Sequence, residues 1–477
     1  MTDFAALIPI VIIALSGMAA MLAEAFREPG ERMNIAALGL IGLAGAAVAS
    51  VFLWDADREA MGVIRADNFA LFINLILCVV GVLTMLFSHE VVERENLPAG
   101  EYYALTLFAI CGMMMMAAAT DLLVIFVALE ILSLAVYVLT GIRRSSLAGA
   151  EGAFKYFVLG AFSSAFFLYG IAFTFAVTGS TRLDQIDIAL ATQAATAPGP
   201  LTLLAVGLLA VGFAFKVSAV PFHMWTPDAY EGAPTIVTAF MSTGVKAAAF
   251  AAFVRVFLVP FEPLQAHWIP VLTWIAAASM ILGTVVGVLQ NNVKRMLAYS
   301  SIAHAGYLLL GIIAANSTGN AAILFYLLAY AVTNLGALGI VALLSTEQNP
   351  HDQVRDFAGL WTSRPGMAAL MTIFLLSLGG IPMTAGFVGK YYIFSAAIQQ
   401  GYYTLAIIGV LTSVIAVFFY LRIVVMMYMT EGDEPIRPPV PATAVAGLAL
   451  ATVAVFYLGI LPTQILDLAL ASILTVF

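Results

Sequence analysis

The sequence predicts an all-α polytopic membrane protein with about 14 transmembrane helices, and three observations lead to this fold class. First, 63% of the 477 residues are hydrophobic and only 10% are charged, whereas a soluble globular domain is about half apolar and about a quarter charged. Second, apolar stretches follow one another along the chain, each near the roughly 20 residues that a helix needs to cross a bilayer. Third, these stretches lack the apolar–polar alternation of a membrane β-barrel.

Taken in order, the apolar stretches define fourteen windows. They are 4–23, 34–54, 67–88, 101–119, 121–140, 153–178, 200–220, 234–258, 268–289, 296–314, 320–344, 366–398, 402–427 and 440–461. The seventh is expected to be broken at Val220-Pro221 and the twelfth at Gly379-Gly380-Ile381-Pro382. The loops are too short for a second domain. We therefore predict one membrane domain over residues 1–477, with three helices in 1–100 and a final helix and C-terminal segment in 431–477.

The two breaks also indicate an internal repeat. When Pro221 is placed on Pro382, other landmarks align at similar offsets, including Arg255 with Arg422 and Tyr137 with Tyr307. The alignment defines a first five-helix unit at 101–260 and a second at 267–430. Because five is an odd number of crossings, the second unit must be inverted in the membrane relative to the first.

Lysine and arginine residues are distributed unevenly between the two alternating sets of loops. One set carries three basic residues, Arg58, Arg65 and Arg182. The other set carries ten, namely Arg27, Arg32, Arg94, Arg143, Arg144, Lys294, Arg295, Arg355, Arg364 and Arg437. Because short cytoplasmic loops are enriched in Lys and Arg, loops 142–152 and 345–365 are predicted to face the cytoplasm. Loop 179–198 and both termini are then predicted to face the periplasm.

Several charged side chains fall inside the apolar windows, where each costs roughly 2.5–3.5 kcal/mol on insertion scales. Arg255 and Arg422 lie near window ends, and we expect them to extend to the lipid headgroups. Lys155, near the start of its window, fits either this role or a functional one. Four charged residues lie too deep in their windows for the side chain to reach the headgroups: Glu130, Lys216, Lys246 and Lys390.

Lysine suits proton transfer in such a setting. Desolvation disfavours an ammonium group and a nearby carboxylate favours it, so a Glu–Lys pair can switch a lysine between charged and neutral forms. Arginine does not deprotonate and cannot do this. A static ion pair is the alternative for these residues, but the single deep carboxylate, Glu130, cannot neutralise three lysines. Lys216 and Lys390 also lie beside the two breaks, where freed backbone groups can hold ions or water.

The sequence argues against several other functions. Cys78 and Cys111 are the only cysteines and do not form a CxxC pattern, so an iron–sulfur cluster is not expected. No GxGxxG or GxxxxGK[ST] motif occurs, and no basic block suited to nucleic acid interrupts the loops. We therefore expect no cofactor, no metal and no nucleic-acid partner. No cleavable targeting peptide is apparent, because Thr2-Asp3 leads directly into an apolar run.

Two motifs together carry a resemblance to a known family. The segment Leu297–Tyr307 (LAYSSIAHAGY) and the segment Phe215–Tyr230 (FKVSAVPFHMWTPDAY) resemble the tenth and seventh spans of the antiporter-like membrane subunits of respiratory complex I and of multi-subunit cation/proton antiporters. Glu130, Lys246 and Lys390 complete the pattern, which covers about 101–430. Ala153–Ala161 (AFKYFVLGA) and the lysine at 390 are similar to the N branch of the family in bacterial complex I.

The resemblance implies a redox-inactive subunit that translocates protons within the NADH:quinone oxidoreductase of a bacterial inner membrane. It places a cytoplasm-facing half-channel at Glu130 and Lys216, a bridge at Lys246 and His304, and an exit at Lys390; Lys155 joins this set as a further proton-transfer candidate. The implied partners are neighbouring antiporter-like and small membrane subunits, and lipids. Two alternatives remain open: a subunit of a sodium(potassium)/proton antiporter, and a structural subunit that only transmits strain. For His304, hydrogen-bonded packing is the alternative role.

Overall fold

The computed structural model describes residues 4–26, 34–193, 198–346, 351–432 and 440–476, and this part of the chain is almost wholly helical. Its α-helices, in chain order, are α1 Ile8–Ala25, α2 Ile35–Phe52, α3 Asn68–Arg94, α4 Ala99–Ala118, α5 Leu122–Thr140, α6 Leu147–Thr178, α7 Leu183–Gln193, α8 Pro200–Lys216, α9 Thr226–Gly232, α10 Thr235–Phe240, α11 Lys246–Leu258, α12 Gln265–Val288, α13 Val293–Ala314, α14 Ser317–Leu344, α15 Leu360–Ser363, α16 Pro365–Gly379, α17 Ala385–Gln399, α18 Tyr403–Met429, α19 Ala442–Ile460 and α20 Thr463–Ile473. A two-stranded antiparallel hairpin, β1 Arg58–Ala60 and β2 Ile64–Ala66, follows α2. A π-helical turn, Met241–Val245, joins α10 to α11.

Twelve helical segments in the described residues are long and apolar enough to cross a membrane. The seventh and twelfth apolar windows fall instead on shorter helices, α8 and the pair α16 and α17. The predicted all-α membrane fold and its two interrupted helices are therefore confirmed. The structure adds α7 within the loop at 179–198 and α20 after the last window.

Local sequence explains both interruptions. Helix α16 ends in the left-handed region at Gly380 (φ 81°), the conformation that glycine adopts most readily at a helix C-terminus. Pro382 follows at once and has no N–H with which to continue the helix. Helix α8 ends at Lys216, and the chain then turns through Ser218 (φ 65°) before Pro221.

The segment Thr235–Leu258, α13 and α14 form the centre of the bundle, with at least 94% of each apolar window buried. Helices α1, α6 and α19 lie at the periphery, where only 33% of the window is buried. Peripheral helices expose apolar side chains such as Phe162 and Val453, as expected of surfaces that meet lipid or other membrane proteins. The three deep lysines belong to the central helices and to α8 and α17.

The loops gather at two ends of the bundle as the alternation of helices requires. At one end, Thr120 donates a backbone hydrogen bond to Val63 and Leu122 donates one to Thr181, so the loops bearing the three basic residues lie together. At the other end, Arg143 pairs with Glu95. Arg27, Arg32 and Arg437 lie outside the described residues. Which end faces the cytoplasm stays a prediction, as does the inverted repeat.

Candidate functional site

Four basic side chains predicted as functional lie inside the bundle. Lys216, Lys246, His304 and Lys390 are each at most 4% exposed and stand on α8, α11, α13 and α17 respectively. At this depth none of the three ammonium groups reaches the surface of the protein. Each must therefore be stabilised by groups within the fold.

Lys216 is held by hydroxyl groups and aromatic faces. Its Nζ donates to Ser133 Oγ at 2.8 Å and to Tyr156 OH at 3.3 Å, and it lies 5.9 Å and 5.5 Å from the ring centroids of Tyr137 and Tyr156. Cations are attracted to such aromatic faces. The carbonyl of Phe215 accepts hydrogen bonds from Ser218 N at 3.0 Å and from Trp225 Nε1 at 3.1 Å, and among the described residues Lys216 does not donate to it.

Glu130 does not form the direct ion pair with Lys216 that a simple two-residue switch requires. Its Oε1 instead accepts a hydrogen bond from Ser164 Oγ at 2.5 Å. Ser164, Ser133 and Lys216 line one small cavity, of about 10 Å³, which is close to the space that a single water molecule needs. Ser164 thus contacts Glu130 and lines the same cavity as Lys216, so serine hydroxyls lie between the carboxylate and the ammonium group.

Lys246 directs its ammonium group at the helix of the tenth-span motif. Nζ donates to the backbone oxygen of Ser301 at 2.5 Å and to Ser301 Oγ at 2.6 Å, and it lies 5.4 Å from the ring centroid of Tyr330. Among the described residues no ion pair to Lys216, Lys246 or Lys390 occurs. The buried static ion pair is therefore not the arrangement that stabilises these lysines.

His304 lies between Lys246 and Lys390. Its Nδ1 is 2.6 Å from Tyr326 OH and its Nε2 is 3.4 Å from Tyr420 OH. Its ring also packs against Tyr330, at 5.0 Å between centroids, and against Tyr307, at 5.5 Å. Because Tyr330 contacts Lys246 and Tyr307 contacts Lys390, the histidine joins both lysines through one shell of tyrosines.

Lys390 occupies the break of the twelfth apolar window. Its Nζ donates to the freed carbonyls of Leu378 at 2.8 Å and Gly379 at 3.1 Å, and to Ser413 Oγ at 2.8 Å. It also lies 5.2 Å from the ring centroid of Tyr307. The backbone oxygens at this break thus bind the lysine itself, whereas the sequence predicts only that such groups can hold ions or water. A groove of about 640 Å³ between α16, α17 and α18 reaches both Lys390 and Ser413.

Lys155 is not part of this buried group. Its side chain is 40% exposed and pairs with Asp228 at 2.7 Å and with Glu151 at 2.5 Å. Asp228 also pairs with Arg295 at 2.7 Å. Lys155 therefore belongs to a charged cluster at the end of the bundle, one residue away from Tyr156, which contacts Lys216.

Two arginines differ from the expectation that they extend to lipid headgroups. Arg255 is 3% exposed and donates to both carboxylate oxygens of Asp67, at 2.8 Å and 2.9 Å; the prediction was wrong because Asp67, at the start of α3, is itself buried. Glu95 is buried as well, whereas Glu130, which the sequence predicts to be the single deep carboxylate, is only half-buried. Arg422 donates to the backbone oxygens of Val288 and Gln290 at the end of α12.

Sequence reasoning missed most of the uncharged partners. They are Ser133, Tyr156, Ser164, Ser301, Tyr326, Tyr330, Ser413 and Tyr420. A local signal exists for two of them: Ser301 stands three residues before His304 and Ser133 three residues after Glu130, each on a neighbouring turn of the same helix. The remainder contact Glu130 or the basic residues across different helices, where spacing along the sequence gives no signal.

Comparison with known proteins gives consistent matches over nearly the whole chain. The profile of the family described as "NADH:quinone oxidoreductase/Mrp antiporter, TM" matches residues 119–416. NADH-quinone oxidoreductase subunit N of Trichlorobacter lovleyi is 45% identical over 97% of this chain and 95% of its own length. The corresponding subunit of Chloroflexus aggregans is 40% identical over 99% and 97%. A chain of the respiratory complex I structure from Thermus thermophilus with bound aureothin superposes with a TM-score of 0.82 at 35% identity, over 97% of this chain and all of that one.

Proposed function

This chain belongs to the NADH:quinone oxidoreductase/Mrp antiporter membrane family and, within it, to the NADH-quinone oxidoreductase N subunits, and we propose from this that it moves protons along its buried basic residues. The chain is a redox-inactive subunit of the translocase: electrons pass through other subunits, and their energy reaches this one as changes in charge and hydration. Its partners are neighbouring antiporter-like and small membrane subunits and the surrounding lipids. It resides in a bacterial inner membrane with both termini in the periplasm.

One observation supports the proton-transfer role above the others. Lys246, His304 and Lys390 share one shell of tyrosines, Lys216 is held by hydroxyl and aromatic groups of its own, and none of the three lysines forms an ion pair with a carboxylate in the described residues. A lysine neutralised by a permanent partner has little reason to release its proton, whereas a desolvated lysine held by neutral oxygens does. A chain of such groups is suited to receiving and passing on protons.

The proposed route begins at Glu130 and ends at Lys390. Protons enter at Glu130 and cross the small serine-lined cavity to Lys216. Lys246 and His304 carry them through the centre, and Lys390 releases them towards the groove between α16, α17 and α18. Because like charges repel strongly in a medium of low dielectric constant, a proton that arrives at one lysine favours loss of the proton from the next.

The closest alternative is a sodium(potassium)/proton antiporter subunit without a redox partner. The relatives named as N subunits match over nearly their full length, which favours the complex I assignment. To test this, a tagged chain is purified from native membranes, and NADH:quinone turnover is measured with proton uptake after reconstitution. We expect both activities to accompany the chain. Purification without NADH oxidation, but with cation-dependent proton exchange, would favour the antiporter.

The structural alternative is tested by Lys390→Met in the same preparation. Methionine keeps an unbranched apolar side chain and removes the titrating group, so the complex should assemble while proton uptake per NADH falls. Unchanged uptake in this variant would support a role limited to transmitting strain.

A further inference from the structure

The helix that carries Lys246 is not a continuous α-helix. Its N-terminal part is α10, its C-terminal part is α11, and the π-helical turn Met241–Val245 lies between them, so that Lys246 is the first residue after the turn. A π turn closes its hydrogen bond one residue later than an α turn does. Because each residue of a helix turns by about 100°, this extra residue decides towards which neighbour Lys246 points.

Side-chain hydroxyls of the π turn donate hydrogen bonds to backbone oxygens of the helical turn that precedes it. Ser242 Oγ donates to the backbone oxygen of Ala239 at 3.0 Å, and Thr243 Oγ1 donates to the same oxygen at 2.9 Å and to that of Phe240 at 3.1 Å. Such hydroxyl-to-carbonyl contacts locally disturb the regular helix pattern. They do not fix the turn relative to the rest of the bundle.

The π turn is held in place by one buried side-chain amide, that of Asn334, which belongs to a different helix. Asn334 on α14 donates from Nδ2 to Ser242 Oγ at 2.7 Å and is 1% exposed. Asn334 stands one helical turn after Tyr330, whose ring lies 5.4 Å from Lys246 Nζ. The same helix therefore touches the π turn at one position and the lysine that follows the turn at another.

Packing alone does not account for this asparagine. Its Oδ1 is buried and finds no hydrogen-bond partner among the described residues, and an unpaired buried oxygen is unfavourable. Leucine has the same number of side-chain heavy atoms in the same branched shape and would occupy the position without that penalty. The contribution of the amide must therefore lie in its one contact, with Ser242.

We propose that Asn334 is a positioning residue that holds the π turn through Ser242 and so keeps the ammonium group of Lys246 on Ser301. The inference rests on the proposed proton-transfer function and extends it to a residue that does not itself titrate. Without the contact, the turn can relax towards regular α-helix, and Lys246 would rotate away from Ser301 and from the tyrosine shell of His304.

The test compares Asn334→Leu with Asn320→Leu in the purified complex. Asn320 is a matched control: it is on the same helix, 4% exposed, and its Oδ1 likewise lacks a partner among the described residues, but it makes no hydrogen bond to the π turn in this part of the chain. We expect Asn334→Leu to assemble normally and to lower protons taken up per NADH by about fivefold, the factor equivalent to about 1 kcal/mol. Asn320→Leu should leave this ratio unchanged.

The acceptor side supplies an independent variant. Ser242→Ala should reproduce the loss, Ser242→Thr should retain most of the wild-type ratio, and the double variant Ser242→Ala/Asn334→Leu should be no worse than either single change, because both remove one hydrogen bond. Additive losses in the double variant would overturn the proposal. If Asn334→Leu does not assemble, the ratio measured for Ser242→Ala decides.

Lys246→Met separates this proposal from the proton-transfer function on which it rests. If Lys246→Met abolishes proton uptake while Asn334→Leu and Ser242→Ala leave it intact, the positioning role alone is wrong. If Lys246→Met itself pumps normally, the function proposed for the lysine fails, and the positioning role fails with it.

Discussion

At the scale of single residues, Glu130 allows charge to be separated from geometry. In Glu130→Gln the amide oxygen can still accept the hydrogen bond from Ser164 Oγ, so the small cavity persists and only the negative charge is lost. A nearby opposite charge changes the protonation equilibrium of a buried base by about tenfold or more. We therefore expect proton-coupled turnover to fall by about tenfold, and Glu130→Asp to retain part of it. NADH:quinone turnover and membrane potential in assembled complexes measure this; normal values for Glu130→Gln would exclude the residue from the route.

Two basic residues of α11 should respond in opposite ways to the same substitution. Lys246→Met leaves no carboxylate unpaired, since Lys246 Nζ is held by Ser301, so the complex should assemble normally and pump poorly. Arg255→Met strands the buried carboxylate of Asp67, which costs about 3–5 kcal/mol, so assembly should be impaired. Abundance on a native gel, beside proton uptake in proteoliposomes, distinguishes them. Poor assembly of Lys246→Met with normal pumping per assembled complex would contradict the relay role.

At the scale of helices, the junction between α16 and α17 depends on a close approach at Gly386. A Cβ at this position would overlap the backbone oxygen of Ser377, so Gly386→Ala must move the start of α17 away from the end of α16. Lys390 follows one turn later and would leave the carbonyls of Leu378 and Gly379. We expect proton uptake per assembled complex to fall by at least about tenfold.

Gly366 of α16 is the control for that substitution. Nothing lies within 4 Å of a Cβ placed there, and alanine is favoured over glycine inside a helix by about 0.5–1 kcal/mol. Gly366→Ala should therefore leave turnover unchanged and leave the thermal unfolding temperature unchanged or slightly higher. Wild-type proton uptake in Gly386→Ala would show that the close approach does not position Lys390.

Helix positions and breaks were predictable from sequence because their causes are local. The length of each apolar run sets a helix, and Gly379-Gly380-Ile381-Pro382 ends one wherever it stands. The partner of Arg255 was not predictable in this way. Asp67 is 188 residues away in sequence, and its position at the boundary between a loop and a helix gives no indication that it is buried. The π turn contains no proline and no glycine pair, so the local sequence does not predict it. The hydroxyl groups around the lysines become their partners only when the helices pack together.

At the scale of the whole molecule, the distribution of basic residues between the two ends of the bundle predicts its orientation in the membrane. Contacts between loops already sort the described basic residues into two groups: Arg65 lies at the end where β2, Thr120 and Thr181 meet, and Arg143 lies at the other, paired with Glu95. The imbalance of three against ten basic residues in the sequence predicts that the richer end faces the cytoplasm.

Two exposed positions, Ser145 at the basic-rich end and Gln185 at the opposite end, report this orientation directly. Single cysteines are placed there in a background in which the partly buried Cys111 is replaced by serine; Cys78 is buried. Because an impermeant thiol reagent reaches only the periplasmic face of cells whose outer membrane has been made permeable, Gln185→Cys should be labelled and Ser145→Cys should not. Disrupting the inner membrane should make both reactive, which controls for local accessibility. Labelling of Ser145→Cys alone before disruption would reverse the orientation, and with it the side from which protons reach Glu130.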